Sequence, residues 1–218
     1  MQFNTAVARS EGVILQTNKL VKNTYILLSV TLMFSAVTAF TSIALQASFG
    51  TAFVATLVGI GLLWFVLPRT ANSATGIPVL FGITGLLGFG LGPIIGHYLT
   101  VNPSIVMTAL GGTGAIFLGL SGYALTTRKD FSFMGGFLMV GLVVVIGAAI
   151  LNIFFAMPAV FLAINAAIVM IMSGLILYQT SALIHGGETN YIMATAGLFL
   201  SILNLFTALL HLLGMADD

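Results

Sequence analysis

Histidine and carboxylate come closest together in the stretch His185-Gly-Gly-Glu188. They are two metal ligands where a zinc site needs at least three, and the glycine pair leaves their spacing loose. The sequence therefore favours a tight turn here over a metal centre. A second set of polar groups sits inside hydrophobic runs: Asn152, Asn165, Gln179, Ser201, Asn204 and His211. At about 100° per residue, Gly197, Ser201, Asn204, Ala208 and His211 fall within about 80° of one another on a helix. Such a small-and-polar stripe on a Leu/Phe-rich helix should face protein and not lipid. It serves either interhelical hydrogen bonding or the wall of a water-lined path. His211 is the one ionisable member of the stripe, a residue type whose ordinary pKa lies close to neutrality. Gly111, Gly112 and Gly114 imitate a phosphate loop, but no preceding strand and no Gly-Lys-Ser/Thr sequence accompanies them.

Those hydrophobic runs hold no Asp, Glu, Lys or Arg. Proton-coupled carriers and pumps keep such groups at membrane depth despite the cost. Intramembrane proteolysis needs paired aspartates, a serine with histidine, or a metal. None of these sets is assembled, so no enzyme, cofactor or metal site is expected. The chain has no cysteine and hence neither disulfide nor thiol chemistry. A formal charge of +1 gives no reason to expect a nucleic-acid partner.

The elements that position these groups follow from where the charges fall. Uncharged runs cover residues 23–68, 70–127, 131–187 and 189–216. A crossing of the hydrocarbon core takes about 20 apolar residues, so the runs hold two, two, two and one crossings. The predicted spans are Thr24–Leu45, Gly50–Leu67, Gly76–Leu99, Ser104–Thr126, Phe133–Phe155, Pro158–Ile184 and Tyr191–Leu213. Pro68, Asn72-Ser73, Asn102-Pro103 and Pro158 fall between the runs, where such residues interrupt helices. Pro93 lies inside the third helix and is expected to kink it. Gly88, Gly92 and Gly96 in helix 3, and Gly111, Ala115 and Gly119 in helix 4, recur at four-residue spacing. Close helix packing, a pore lining and a face for a partner helix all use that spacing.

Arg9, Lys19, Lys22, Arg69, Arg128 and Lys129 all fall on one side of a seven-crossing chain. The positive-inside rule makes that side cytoplasmic, with Asp217 and Asp218 outside. Residues 1–23 then form a cytoplasmic N-terminal tail and 24–215 the transmembrane domain. The tail, which carries the apolar cluster Val13-Ile14-Leu15, would reach roughly 75 Å if fully extended. The polar start of the chain shows no cleavable signal peptide, so the first helix is expected to direct insertion.

Gly88-Phe-Gly-Leu-Gly-Pro93-Ile-Ile and Thr113-Gly-Ala-Ile-Phe117 resemble signatures of the Bax inhibitor-1 family. Thr126-Thr-Arg-Lys-Asp-Phe-Ser-Phe-Met-Gly-Gly136 resembles that family's loop between helices 4 and 5. Asn18-Lys-Leu-Val-Lys-Asn-Thr-Tyr25 and His185-Gly-Gly-Glu-Thr-Asn-Tyr-Ile192 are similar, almost letter for letter, to a bacterial branch of it. The resemblance covers essentially the whole chain. It implies an all-α membrane protein, a Bax inhibitor-1-like bundle of seven helices with helix 7 central. It also implies two functions. The bacterial branch is associated with the membrane-anchored AAA protease FtsH, which its members occupy and modulate. Other members are described as pH-sensitive calcium leak channels. Those channels resemble one another in an aspartate pair, within Tyr-Asp-Thr of helix 6 and Leu-Tyr-Leu-Asp of helix 7. The matching positions here read Tyr178-Gln179-Thr180 and Leu198-Phe199-Leu200-Ser201. Two carboxylates sharing a proton make a pH switch, whereas Gln179 and Ser201 cannot titrate. The expected protein is thus a non-enzymatic, multi-pass protein of a bacterial inner membrane, in contact with the lipid bilayer, that binds and modulates FtsH. The alternative is a cation leak channel without the di-aspartyl sensor.

Overall fold

The computed structural model describes the backbone of residues 2–217 and the side chains of residues 16–216. Among them are seven helices long and apolar enough to cross a membrane, and no strand. We label them α1 (Gln2–Ala44), α2 (Phe49–Thr70), α3 (Gly76–Val101), α4 (Pro103–Thr127), α5 (Gly135–Phe155), α6 (Pro158–His185) and α7 (Tyr191–Asp217). A 3-10 turn, Ser132–Met134, leads into α5. With no water in hydrocarbon to satisfy backbone groups, helices that bond within themselves are the open-chain solution.

The ends of the helices follow from specific residues. Ser48 accepts the N–H of Thr51 at the start of α2. Asn102 accepts the N–H of Ser104 ahead of α4, whose first position is Pro103. The Asn190 side chain accepts the N–H groups of both Ile192 and Met193 at the start of α7. Helix α6 stops at Gly186, whose φ of +79° is a left-handed conformation that glycine adopts without strain.

Two helices differ from expectation. Helix α1 begins at Gln2 and runs unbroken to Ala44, so no break in the backbone marks residue 23. At about 1.5 Å per residue, a helical segment of that length reaches roughly 33 Å and not the extended distance. The Arg9 and Val13-Ile14-Leu15 side chains lie outside the described residues. Helix α2 contains a π-helical turn, Leu62–Val66, closed by the N–H of Leu67 on the carbonyl of Leu62. Pro68 sits just beyond it. The proline ring would strike the carbonyl four residues back, and a widened turn relieves that clash. Helix α3 is continuous through Pro93.

Helix α3 lies against both α1 and α2, and its glycines set the approach. A methyl group on Gly85 would lie 2.7 Å from the Phe34 ring, and one on Gly88 would collide with the Ser35 carbonyl and the Ser35 and Thr38 hydroxyls. Gly92 fits against Ser42 in the same way, and Gly90 against Thr56 of α2. The α4 set behaves oppositely. Gly111, Ala115 and Gly119 are exposed, and methyl groups on Gly111 and Gly119 would meet nothing within 4 Å.

Helix α7 contributes to each of three apolar clusters. Leu198, Phe199 and Ile202 pack with Leu28, Leu80, Ile83 and Leu87. Leu205 packs with Leu138, Ile171 and Ile176. Phe206 and Leu210 pack with Ile105, Val106 and Ala109. Half of its most apolar stretch is buried, against 11% for the α5 span. Helix α5 rests chiefly on α6.

Candidate functional site

The polar groups of the bundle form three tiers along α6 and α7. The lowest joins the loops at the end that carries Arg69, Arg128 and Lys129. His185 places Nδ1 3.0 Å from its own-helix Ser181 carbonyl and Nε2 3.1 Å from the Arg128 carbonyl. The Ser181 hydroxyl accepts the Phe131 N–H at 2.9 Å and lies 3.3 Å from the Lys129 carbonyl. Glu188 accepts the N–H groups of Thr189 and Asn190 through one oxygen. Asn190 in turn donates to the Ala71 carbonyl and to Asn72 Oδ1, which ties the α2–α3 loop to the start of α7. Both side chains of the His185-Gly-Gly-Glu188 stretch are thus spent on loop geometry. Asp130 accepts the Ser132 N–H at 2.9 Å. The Ser132 hydroxyl and N–H, with smaller help from the His185 charge, hold its carboxyl below the usual carboxylate range.

The middle tier is a buried layer of hydroxyls and one amide. The Ser201 hydroxyl of α7 donates to Gln179 Oε1 of α6 at 3.1 Å. Ser201 is buried and Gln179 half-buried. Gly197, one turn earlier on α7, leaves room for the same amide, since a methyl there would sit 3.3 Å from Gln179 Nε2. Next to Gln179, the fully buried Thr180 meets Tyr25 Oη of α1 at 3.1 Å and Ser121 Oγ of α4 at 3.4 Å. Thr195 of α7 completes the layer at the Thr24 carbonyl, 3.3 Å away. Four helices are joined by neutral hydrogen bonds, each worth on average about 0.6 kcal/mol between membrane helices. Tyr25, Ser121, Thr180 and Thr195 did not stand out in the sequence. A serine or threonine near a helix end reads alike whether it bonds its own turn or a neighbour.

The upper tier lines a cavity of approximately 540 Å³ toward the opposite end of the bundle, among α5, α6 and α7. Asn152, Asn165, Asn204, Thr207 and His211 reach it, among apolar neighbours that include Ile168. The α7 stripe therefore divides. Ser201 closes on Gln179 below, and Asn204, Ala208 and His211 face the cavity above. His211 lies edge-on to Phe161 and Tyr98, with ring centroids at 5.1 and 6.3 Å.

Seven apolar crossings and internal groups that are neutral hydrogen-bonders define a multi-pass membrane protein built around a buried polar layer. Comparison with known proteins narrows this class. The family model described as "Inhibitor of apoptosis-promoting Bax1" matches residues 17–218. An Escherichia coli K12 protein named "Modulator of FtsH protease YccA" is 50% identical over 205 residues, covering 94% of this chain and 93% of the relative. A membrane protein of Vibrio cholerae is 47% identical over 206 residues, covering 94% and 92%. A Pseudomonas aeruginosa protein is 44% identical over 221 residues, covering 100% and 97%. The chain belongs to the Bax inhibitor-1 family.

Proposed function

We propose that this protein sits in a bacterial inner membrane with its basic end in the cytoplasm, and that it binds and modulates an FtsH-type AAA protease without catalysing a reaction itself. The observation that carries this reading is the full-length similarity to a relative named as a modulator of that protease. The architecture supports it. An AAA protease threads a segment from the cytoplasm before it can extract the rest of a substrate. On the proposed orientation, the start of α1 lies in the cytoplasm, and threading it requires that helix to unwind. Behind it stand six further helices, joined by a glycine-set seam between α1 and α3 and by the buried hydrogen-bonded layer. A substrate that is readily gripped and slowly extracted occupies the protease and lowers its turnover of others.

The test is a chase of protein half-life in cells with and without active protease, for the full chain and for a form lacking about residues 2–12. The truncated protein is expected to insert normally, to become long-lived, and to lose its influence on other substrates. A short, protease-dependent half-life that survives the truncation would show that this segment is not the handle. Failure of the full chain to co-purify with the protease from native membranes would remove the partner altogether.

A further inference from the structure

The cavity among α5, α6 and α7 contains polar groups that the bundle leaves incomplete. Asn165 is only 4% exposed, yet it makes one hydrogen bond, from Nδ2 to the Phe161 carbonyl of its own helix at 2.8 Å. That bond fixes the amide orientation, because only the NH₂ can donate to a carbonyl. Its Oδ1 is left without a donor among the described residues, in the cavity wall. Asn204 repeats the arrangement one helix away. Its Nδ2 donates to the Leu200 carbonyl at 2.8 Å, its Oδ1 has no donor among the described residues, and it is exposed to the cavity near the middle of a half-buried helix. Asn152 has the complementary surplus. Its Oδ1 accepts the Met157 N–H, and its NH₂ has no acceptor among the described residues.

We propose that this cavity is a binding site for a small uncharged solute that both donates and accepts hydrogen bonds, of the polyol or primary-amide class, which enters from the end opposite the basic residues. The chemistry of the walls selects that class. Among the described residues no Asp, Glu, Lys or Arg lines the cavity, so no fixed charge neutralises an ionic ligand, whose desolvation would go largely uncompensated. Two carboxamide oxygens without donors ask for ligand donors, while the Asn152 NH₂ and the second N–H of Asn165 and of Asn204 ask for ligand acceptors. A lipid chain in the same space would leave both oxygens unsatisfied in hydrocarbon, a costly arrangement. Entry from the aqueous side follows from the axial spread of the polar groups. Asn152 and His211 lie near the far ends of α5 and α7, Asn165 deeper, and Asn204 near the middle of its helix. Below Asn204 the path closes where Ser201 bonds Gln179, so the site is a dead end and holds its solute without passing it through.

The chain has no cysteine, so a single Thr207→Cys variant in lipid nanodiscs reports on the cavity against no background. Its labelling by a small water-soluble methanethiosulfonate reagent is followed with and without glycerol, erythritol, acetamide and urea. A solute at about ten times its Kd slows labelling about tenfold by mass action. Thr207→Cys is expected to label, and at least one of the four solutes is expected to protect it. A Thr100→Cys variant, exposed in the last turn of α3 at the same end, should label at an unchanged rate. Asn165→Leu and Asn204→Leu, each added to Thr207→Cys, should abolish the protection. Absence of labelling at Thr207→Cys would overturn the proposal by showing a cavity filled with lipid or protein. Labelling that none of the four solutes slows would overturn it as water only. The native asparagines with Thr207→Cys decide the matter even if a leucine variant fails to fold.

Discussion

Ser201 and Gln179 bond each other as neutral partners, so their contribution to the bundle is local and independent of proton concentration. In a double-mutant cycle with Ser201→Ala and Gln179→Ala, the coupling is expected near 0.6 kcal/mol and below about 1.7 kcal/mol, the span for membrane hydrogen bonds. Reversible unfolding in mixed micelles measures it, and zero coupling would mean that the contact is not formed. Any cation flux through the bundle should likewise vary little between about pH 6 and 8, because neither Gln179 nor Ser201 titrates. Gln179→Asp combined with Ser201→Asp should introduce a dependence. Steep gating by the unmodified protein that survives His211→Ala and His185→Ala would defeat that expectation. Asp130 behaves differently in principle. Its folded-state value lies below the ordinary one, so its contribution is present above the ordinary carboxylate range and is lost as pH falls through the lowered value. The stability difference between the parent and Asp130→Asn should be flat at neutral pH and vanish only in acid. A difference that changes between about pH 6 and 8 would show that another group is titrating with it.

At the scale of the helix, two glycine sets with the same spacing have opposite roles. Gly88→Val forces α1 away from α3, because the added atoms meet the Ser35 backbone; overpacking of this kind costs about 1–3 kcal/mol or more. Gly111→Val adds atoms to open space and should leave the melting temperature in detergent nearly unchanged. Equal losses for the two would mean that α4 is covered in the membrane. The sequence could not distinguish these sets, since spacing says that a face is small and not what lies across from it. Helix number and ends were far more legible. The charges break the chain into its runs, and Pro103, Pro158 and Gly186 mark ends that the structure keeps. The early start of α1 was hidden because Lys19 and Lys22 end an apolar pattern without ending a helix. The π turn in α2 was hidden because a proline at a helix end usually needs no accommodation. The cavity was half legible: the stripe on α7 named Asn204 and His211, but only the packing of α5 chiefly on α6 reveals which side stays open.

For the whole molecule, the one-sided basic residues predict that reporters fused after Lys129 or at Gly187 are cytoplasmic and that a C-terminal fusion is periplasmic. A C-terminal reporter active in the cytoplasm would overturn the proposed orientation. The unbroken course of α1 from Gln2 to Ala44 carries a mechanical consequence. With no hinge between its first turns and its buried part, a force applied at the start of α1 acts along the axis of the helix. With alternating crossings α1 and α3 run in the same direction, so the load shears the seam formed by Gly85, Gly88 and Gly92 and does not peel it open. Contacts loaded in shear share the tension and rupture together. Resistance to forced unfolding is set by the barrier to such rupture, so a pull of the kind proposed for the protease would meet its highest barrier at the first step.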